Sequence, residues 1–314
     1  MDDALRANHL DTGHPVPIEL VHRVREEDAF PVRWAEAGED RFLVHARWPH
    51  DHPFYAPLRG LHDPLMLVET MRQSAVLVIH AGYGVPVGHH FLLAELEFTC
   101  RPEGLEVGDG PTDVEVEVRC EQLRRRGGHP SQIRSRWVIR AGGTVLATGE
   151  GLGRMTSPQA YRRLRGAGIV PVVPGPAPRP IDPARAGRGR AHDVVLSATS
   201  RPDTWRLRVD TGHATLFQRA NDHIPGMLLL EAARQAAAAL TAPAPFFPHG
   251  GSIVFDRYAE FADACWIEAR TTPPPPDSPD AVAVRVTGSQ DGHQVFGATL
   301  LASAPAPEAA TCSS

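Results

Sequence analysis

No lysine occurs anywhere in the 314 residues, so all 32 basic side chains counted as Lys or Arg are arginine. That absence excludes Schiff-base chemistry, pyridoxal phosphate attachment and Walker-type nucleotide loops, each of which needs an amine that guanidinium cannot replace. Anions must then be held by arginine, histidine or helix N-termini, and the two-pronged donor set of arginine keeps phosphorylated substrates available. Cysteine is scarce as well: Cys100, Cys120, Cys265 and Cys312 have neither CxxC nor His-paired spacing, so reduced structural thiols and no metal site are expected. A net charge of −5 carries no electrostatic footprint of nucleic-acid binding. The acidic N-terminus lacks the apolar core of a signal peptide, which points to the cytoplasm. The stretch from Gln235 to Phe255 has no Asp, Glu or Arg, yet Pro243, Pro245, Pro248, Gly250 and Gly251 break it. A bilayer would leave their neighbours' backbone groups unsatisfied, so it reads as helix, turn and strand with no membrane span.

With 42% hydrophobic and 22% charged residues, the chain has an ordinary globular composition. Within it, one pattern occurs twice: Glu69-Thr-Met-Arg72-Gln73 and Glu231-Ala-Ala-Arg234-Gln235, each inside a helix-like segment apolar on every other face. The two glutamates are 162 positions apart, and so are the two arginines, which predicts a tandem repeat. The Pro-, Gly- and Arg-rich stretch 166–190 reads as a connector between repeats at 1–165 and 191–304, with a frayed tail at 305–314.

Each half presents a hairpin, one long apolar helix, then an antiparallel meander. In the first half these are a hairpin over 32–48 turning at Gly38, the helix, and strands at 91–100, 114–121, 133–139 and 144–149. In the second, they are 194–209, the helix, and strands at 252–258, 266–271, 281–287 and 295–302, with a Pro-rich loop at 271–279. A helix apolar all round needs cover on all sides, and a curved sheet wrapped about it supplies that cover. This is an α+β double hotdog.

Three segments carry a family resemblance: His62-Asp-Pro-Leu-Met-Leu-Val-Glu-Thr-Met-Arg-Gln73, Tyr83-Gly-Val-Pro-Val-Gly-His-His-Phe-Leu-Leu93 and Asp222-His-Ile-Pro-Gly-Met-Leu-Leu-Leu-Glu-Ala-Ala-Arg-Gln235. In content and order they resemble the AfsA family of gamma-butyrolactone signal synthases, which consist of two hotdog repeats. The resemblance implies an acyltransferase moving a beta-ketoacyl group from acyl carrier protein to the hydroxyl of dihydroxyacetone phosphate. The second helix also resembles the PGxLxxEAxAQ segment of beta-hydroxyacyl-ACP dehydratases, but Phe217 stands where their catalytic histidine would be, which argues against dehydration. AfsA relatives usually carry an FDHP-like segment there, and this chain departs from it with Phe217-Gln-Arg-Ala220.

Residues i, i+3 and i+4 share a helix face, so each Glu-Arg-Gln set points one way. An intrahelical ion pair is the structural alternative, but in an apolar helix an unpaired ion costs several kcal/mol, which favours a function for at least one set. Glu69 or Glu231, held ionised, would accept a proton from an attacking hydroxyl, and Arg72 or Arg234 would hold a phosphate or an oxyanion. Gly226 offers a backbone N–H to the thioester carbonyl, and Gln73 and Gln235 complete the binding face. His62 and His223 sit at the helix starts, where binding competes with capping or packing. His89 and His90 point to opposite faces as strand neighbours do, which puts one of them at the site and makes a joint metal site improbable. Arg124-Arg125-Arg126 at a hairpin tip is a solvated loop or a contact for acidic carrier protein. No cofactor is required, because the thioester supplies the driving force. A homodimer is left open by the pattern. The rival functions are an acyl-ACP/CoA thioesterase and a non-catalytic acyl-binding double hotdog.

Overall fold

The computed structural model describes residues 13–166, 177–219 and 221–303. Parts of the connector, the 305–314 tail, Ala220 and Cys312 therefore lie outside the described residues. Thirteen strands form one antiparallel sheet: β1 (His14–Pro15), β2 (Pro31–Gly38), β3 (Arg41–Trp48), β4 (His90–Cys100), β5 (Thr112–Arg126), β6 (His129–Ala141), β7 (Thr144–Thr156), β8 (Leu196–Ala198), β9 (Thr204–Leu207), β10 (Pro248–Phe255), β11 (Trp266–Thr272), β12 (Ala281–Gln290) and β13 (His293–Ser303). Their order is β1-β2-β3-β5-β6-β7-β4-β10-β13-β12-β11-β9-β8. The seam is the β4–β10 pair, registered from Gly250 opposite Thr99 to Val254 opposite Glu95. On either side of it the order of hairpin and meander is mirrored, which is the double hotdog expected from the repeated pattern. The second hairpin is shorter than expected, with strands of three and four residues.

Helix α1 (Pro64–Leu77) is buried except at Arg72 and Ala75. Pro64 occupies its first turn, and the Asp63 carboxylate caps it by accepting the Leu65 N–H at 2.8 Å. The helix ends in a wider π-type turn over Val78–Gly82. Helix α2 (Pro158–Arg165) bridges the halves from the surface. Helix α3 (Gly226–Thr241) is buried from Leu228 to Ala239, and its N-cap residue, Pro225, contributes no capping side chain. One alanine-rich and one bulkier helix thus line the two concave faces, within a core whose largest fully buried side chains include Trp48, Phe30, Phe296 and Arg234. A fully buried arginine among them is a polar demand that the fold must meet.

Cys100, Cys120 and Cys265 are free and buried, and burial pushes their thiols up to about 12, 11 and 12. Such thiols are packing groups at neutral pH. Among the described residues no helix is long and apolar enough to cross a membrane.

Candidate active site

The Glu-Arg-Gln face of each helix is met by a further arginine from the segment that precedes the first hairpin of its own repeat. On α1, the fully buried Glu69 accepts from Arg72 Nε (2.8 Å) and Nη2 (2.7 Å), from Gln73 Nε2 (2.7 Å) and from Arg23. On α3, Glu231 accepts from Arg234 Nε (3.0 Å) and Nη2 (2.7 Å), Gln235 Nε2 (2.5 Å), and Arg188 Nε (2.8 Å) and Nη2 (2.7 Å). Arg23 and Arg188 are 165 positions apart and belong to a repeated R-x-R-x-x-D, Arg23 to Asp28 and Arg188 to Asp193. That second repeat was the available sequence signal for both arginines. Arg188 lies inside the stretch expected to be a connector.

Several expected roles change once these contacts are in view. Gln73 spends its amide on the Phe30 N–H (2.9 Å), the Asp28 carbonyl (2.7 Å) and Glu69, and Gln235 does the same with Val195 (2.9 Å), Asp193 (2.8 Å) and Glu231. Both were expected to bind substrate, and both tie the helix to the upstream segment, with both amide hydrogens spent and one carbonyl lone pair used. Glu69 and Glu231 were expected as proton acceptors. Burial alone would raise their pKa values, but the paired arginines outweigh it and hold both at about 2. A carboxylate that weak has little hold on a proton at neutral pH, so each serves as the anchor of its arginines.

His62 packs against Trp48 with ring centroids 5.2 Å apart and bonds Thr112 Oγ1 at 2.9 Å, and burial holds its pKa near 4. It is a packing residue of α1 rather than a binding group. His223 bonds the Asp222 carboxylate at 2.8 Å, in a cluster where Tyr161 and Arg165 of α2 also bind Asp222. His90 stacks on Tyr161 at 3.6 Å, while His89 turns to His129, with centroids 6.3 Å apart. The pair therefore does point opposite ways. Gly226 opens α3 with a Cβ position 3.2 Å from the Phe255 ring.

His192, Asp193 and His213 bring ligand-type atoms within 4.8 Å of one another. His213 Nδ1 accepts the N–H groups of Thr215 (3.3 Å) and Leu216 (3.2 Å), so in the neutral ring the proton sits on Nε2, which faces Asp193 at 3.4 Å. Arg190 also holds Asp193. The first repeat has the same arrangement, His52 on Asp28 at 3.1 Å with Nδ1 accepting from Phe54 and Tyr55. These are paired loop clamps, and their ring lone pairs are already occupied.

The two copies part company in what the opposite repeat supplies. At Glu231, the opposite repeat brings Asp63, whose carboxylate accepts from Arg188 Nη1 at 2.9 Å, together with the Phe54 carbonyl, also at 2.9 Å. Two arginines thus meet two carboxylates. A cavity of about 670 Å³ adjoins Arg188 and Arg234, bounded by Pro57, Ala238, Ala242 and Phe246, yet the guanidinium N–H groups are already engaged. At Glu69, the opposite repeat brings Gln218 and Arg219, from the segment that departs from the AfsA pattern. Gln218 Oε1 accepts the Val24 and Arg25 N–H groups, at 2.9 and 3.4 Å. Burial, then repulsion from Arg23 and Arg72, lowers the Arg219 pKa. Two arginines bind one carboxylate there with a third arginine repelled by both, and Arg23 Nε and Gln218 Nε2 are buried without a hydrogen-bond partner among the described residues. Unfilled donors in a cationic pocket call for an anion.

The depressed glutamates set the acid stability. A carboxylate held below its ordinary 4.5 stabilises the fold above that value and loses the contribution as pH falls through the folded value near 2. Each contributes on the order of 3 kcal/mol at neutral pH. Stability from urea unfolding should therefore fall between pH 4.5 and 2, and Glu231→Gln should weaken that dependence, leaving the share of Glu69 and of the depressed Asp222. An unchanged acid limb in the variant would show that the buried carboxylate does not carry it.

Comparison with known proteins agrees with this architecture. The A-factor biosynthesis hotdog domain, AfsA, matches residues 6–157 and 172–299. A 2-oxo-3-(phosphooxy)propyl 3-oxoalkanoate synthase of Streptomyces coelicolor is 56% identical over 302 residues, covering 96% of each chain. Proteins of the same name from Streptomyces griseus and Streptomyces virginiae are 52% and 44% identical, over 91% of this chain and 95% and 96% of theirs. Among solved structures, a putative oleoyl thioesterase from Lactobacillus plantarum superposes with a TM-score of 0.54 at 14% identity, covering 84% of this chain and 97% of that one, a likeness of fold alone. With both repeats matched and relatives this similar along nearly their whole length, the chain belongs to the AfsA family of A-factor biosynthesis hotdog proteins.

Proposed function

We propose that this protein is an acyltransferase that moves a beta-ketoacyl group from acyl carrier protein to the hydroxyl of dihydroxyacetone phosphate, a transfer that would form the phosphorylated 3-oxoalkanoate ester its relatives are named for, and that it does so at the Glu69 site. The observation that carries this is the charge imbalance. Arg23 and Arg72 share a single carboxylate, Arg219 adds a third positive charge felt by both, and two unfilled buried donors lie beside them, which suits the phosphate of the acceptor. The Glu231 site has the same framework with its charges balanced by Asp63, which suits a structural role.

The rest of the assignment follows from the internal two-fold. Asp63 at the start of α1 stands beside Arg188, so the start of α3 is its counterpart beside Glu69. That start has Pro225 where α1 has a capping aspartate, and its free N–H groups, beginning with Gly226, are suited to the oxyanion of the thioester carbonyl. Glu69 acts as a positioning residue that aligns Arg23 and Arg72. Arg124, Arg125 and Arg126 form the exposed end of β5 before the Gly127–Gly128 turn, with Arg125 5.9 Å from the ring of Tyr83, which follows the π-type turn, a surface suited to an acidic carrier protein. The repeats are taken as residues 1–165 and 191–304.

Incubation with a beta-ketoacyl carrier protein and dihydroxyacetone phosphate should yield the phosphorylated keto ester, seen by mass spectrometry. Release of free keto acid at the same rate with and without the acceptor would make the protein a thioesterase. Binding without turnover would make it an acyl carrier.

A further inference from the structure

The cationic pocket of the first repeat contains two histidines that the second repeat lacks. His22 precedes Arg23, and its counterpart 165 positions on is Gly187, which precedes Arg188. His80 follows α1 in the π-type turn, and its counterpart 162 positions on is Ala242. Both members of the first pair are left-handed, with φ of +57° at His22 and +63° at Gly187. Glycine takes that conformation freely, whereas a residue with a Cβ meets a steric cost there. The first repeat therefore keeps a strained histidine where the second shows that glycine suffices for the backbone. Strain retained at such a position points to a task for the side chain.

The hydrogen bonds around the pair define that task. His80 Nδ1 lies 2.6 Å from the Val85 carbonyl, and a carbonyl only accepts, so the His80 proton is on Nδ1 and its Nε2 is a lone pair. His22 Nε2 lies 2.9 Å from that lone pair and must be the donor. The basic lone pair of His22 is consequently on Nδ1. Phe91 holds the His22 ring from the β4 side, edge-on with centroids 5.0 Å apart.

We propose that His22 is the general base of acyl transfer, taking the acceptor hydroxyl proton on Nδ1, and that His80 is the positioning residue that sets its tautomer. The assignment rests on the phosphate reading of the same pocket. As the proton moves to Nδ1, the hydroxyl oxygen bonds to the thioester carbonyl carbon. The C–S bond then breaks, and the departing thiolate takes the proton back from His22, leaving a free thiol and neutral imidazole.

The charged and titratable groups that act on His22 are Arg23 on its own segment, Arg72 on α1, His80 in the turn, and Arg219 from the second repeat. Burial first, then Arg72, Arg219, His80 and Arg23, hold the His22 pKa down to about 3, so the ring is neutral and a weak base beside the arginines alone. A phosphate dianion seated among the arginines cancels their repulsion of the imidazolium, and the base strengthens when a phosphorylated acceptor is bound.

His22→Gly tests this, since it installs the residue of the second repeat and relieves the left-handed strain. The variant should melt at or above the wild-type temperature and keep the thermal shift caused by inorganic phosphate. Its kcat should fall at least about 100-fold and be partly restored by added imidazole. A kcat close to wild type would overturn the proposal, and so would a loss that imidazole leaves untouched. If wild-type protein shows no phosphate-induced shift, the phosphate site fails, while the base is still judged by kcat and imidazole rescue.

Discussion

Glu231→Ala is expected to lower stability by about 3–5 kcal/mol, because it strips the carboxylate from two arginines that the fold buries almost completely. Arg234 keeps 1% and Arg188 3% of its side-chain surface, and after the change only Asp63 remains to balance the pair. For a chain of this size the melting temperature should drop by roughly 5–8 °C. The same change at Glu69 should cost less, since Arg72 keeps 20% and Arg23 11% of its side-chain surface and both can recover hydration. Circular dichroism melts of the two variants side by side decide the matter. Equal losses would mean that the two ion clusters are equally closed, contrary to the asymmetry on which the choice of active site rests.

Arg219→Ala is expected to do the opposite, sparing the fold while damaging catalysis. Arg219 keeps part of its surface exposed although burial is the first cause of its lowered pKa, and the charges that act on it are the like charges of Arg23 and Arg72, so its loss removes repulsion and should leave the melting temperature unchanged or slightly raised. Losing one charge-assisted contact to phosphate, worth about 1.5–3 kcal/mol, should reduce kcat/KM for the phosphorylated acceptor about 10- to 100-fold. Unphosphorylated dihydroxyacetone should be used equally poorly by both proteins. An unchanged KM for dihydroxyacetone phosphate in the variant would remove Arg219 from the anion site.

Much of the fold was legible from pattern alone. The 162-residue spacing of the two Glu-Arg-Gln faces, the apolar helices around them and the alternation of Val114, Val116 and Val118 with charged neighbours point to two similar halves, each a sheet wrapped on a buried helix. These signals are local or periodic, so a linear reading captures them. The partners of Gln73, Gln235 and His62 were not legible, because they are the backbone of a segment some forty positions upstream for the glutamines and Thr112 with Trp48 for the histidine. Residue type says that a side chain can bond, and distant chain decides to what.

By itself, the sequence determined the lysine-free chemistry, the duplicated hotdog and the pair of buried Glu-Arg-Gln faces. How the charge of each face is balanced was decided only by the tertiary structure. Net charge in a pocket is a sum over groups brought in from separate segments: Arg23 and Arg72 with Arg219 in one copy, Arg188 and Arg234 with Asp63 in the other. Two nearly identical helix faces acquire opposite character because the repeat across the seam hands one an arginine and the other an aspartate, and electrostatic energy depends on distance in space rather than on separation along the chain.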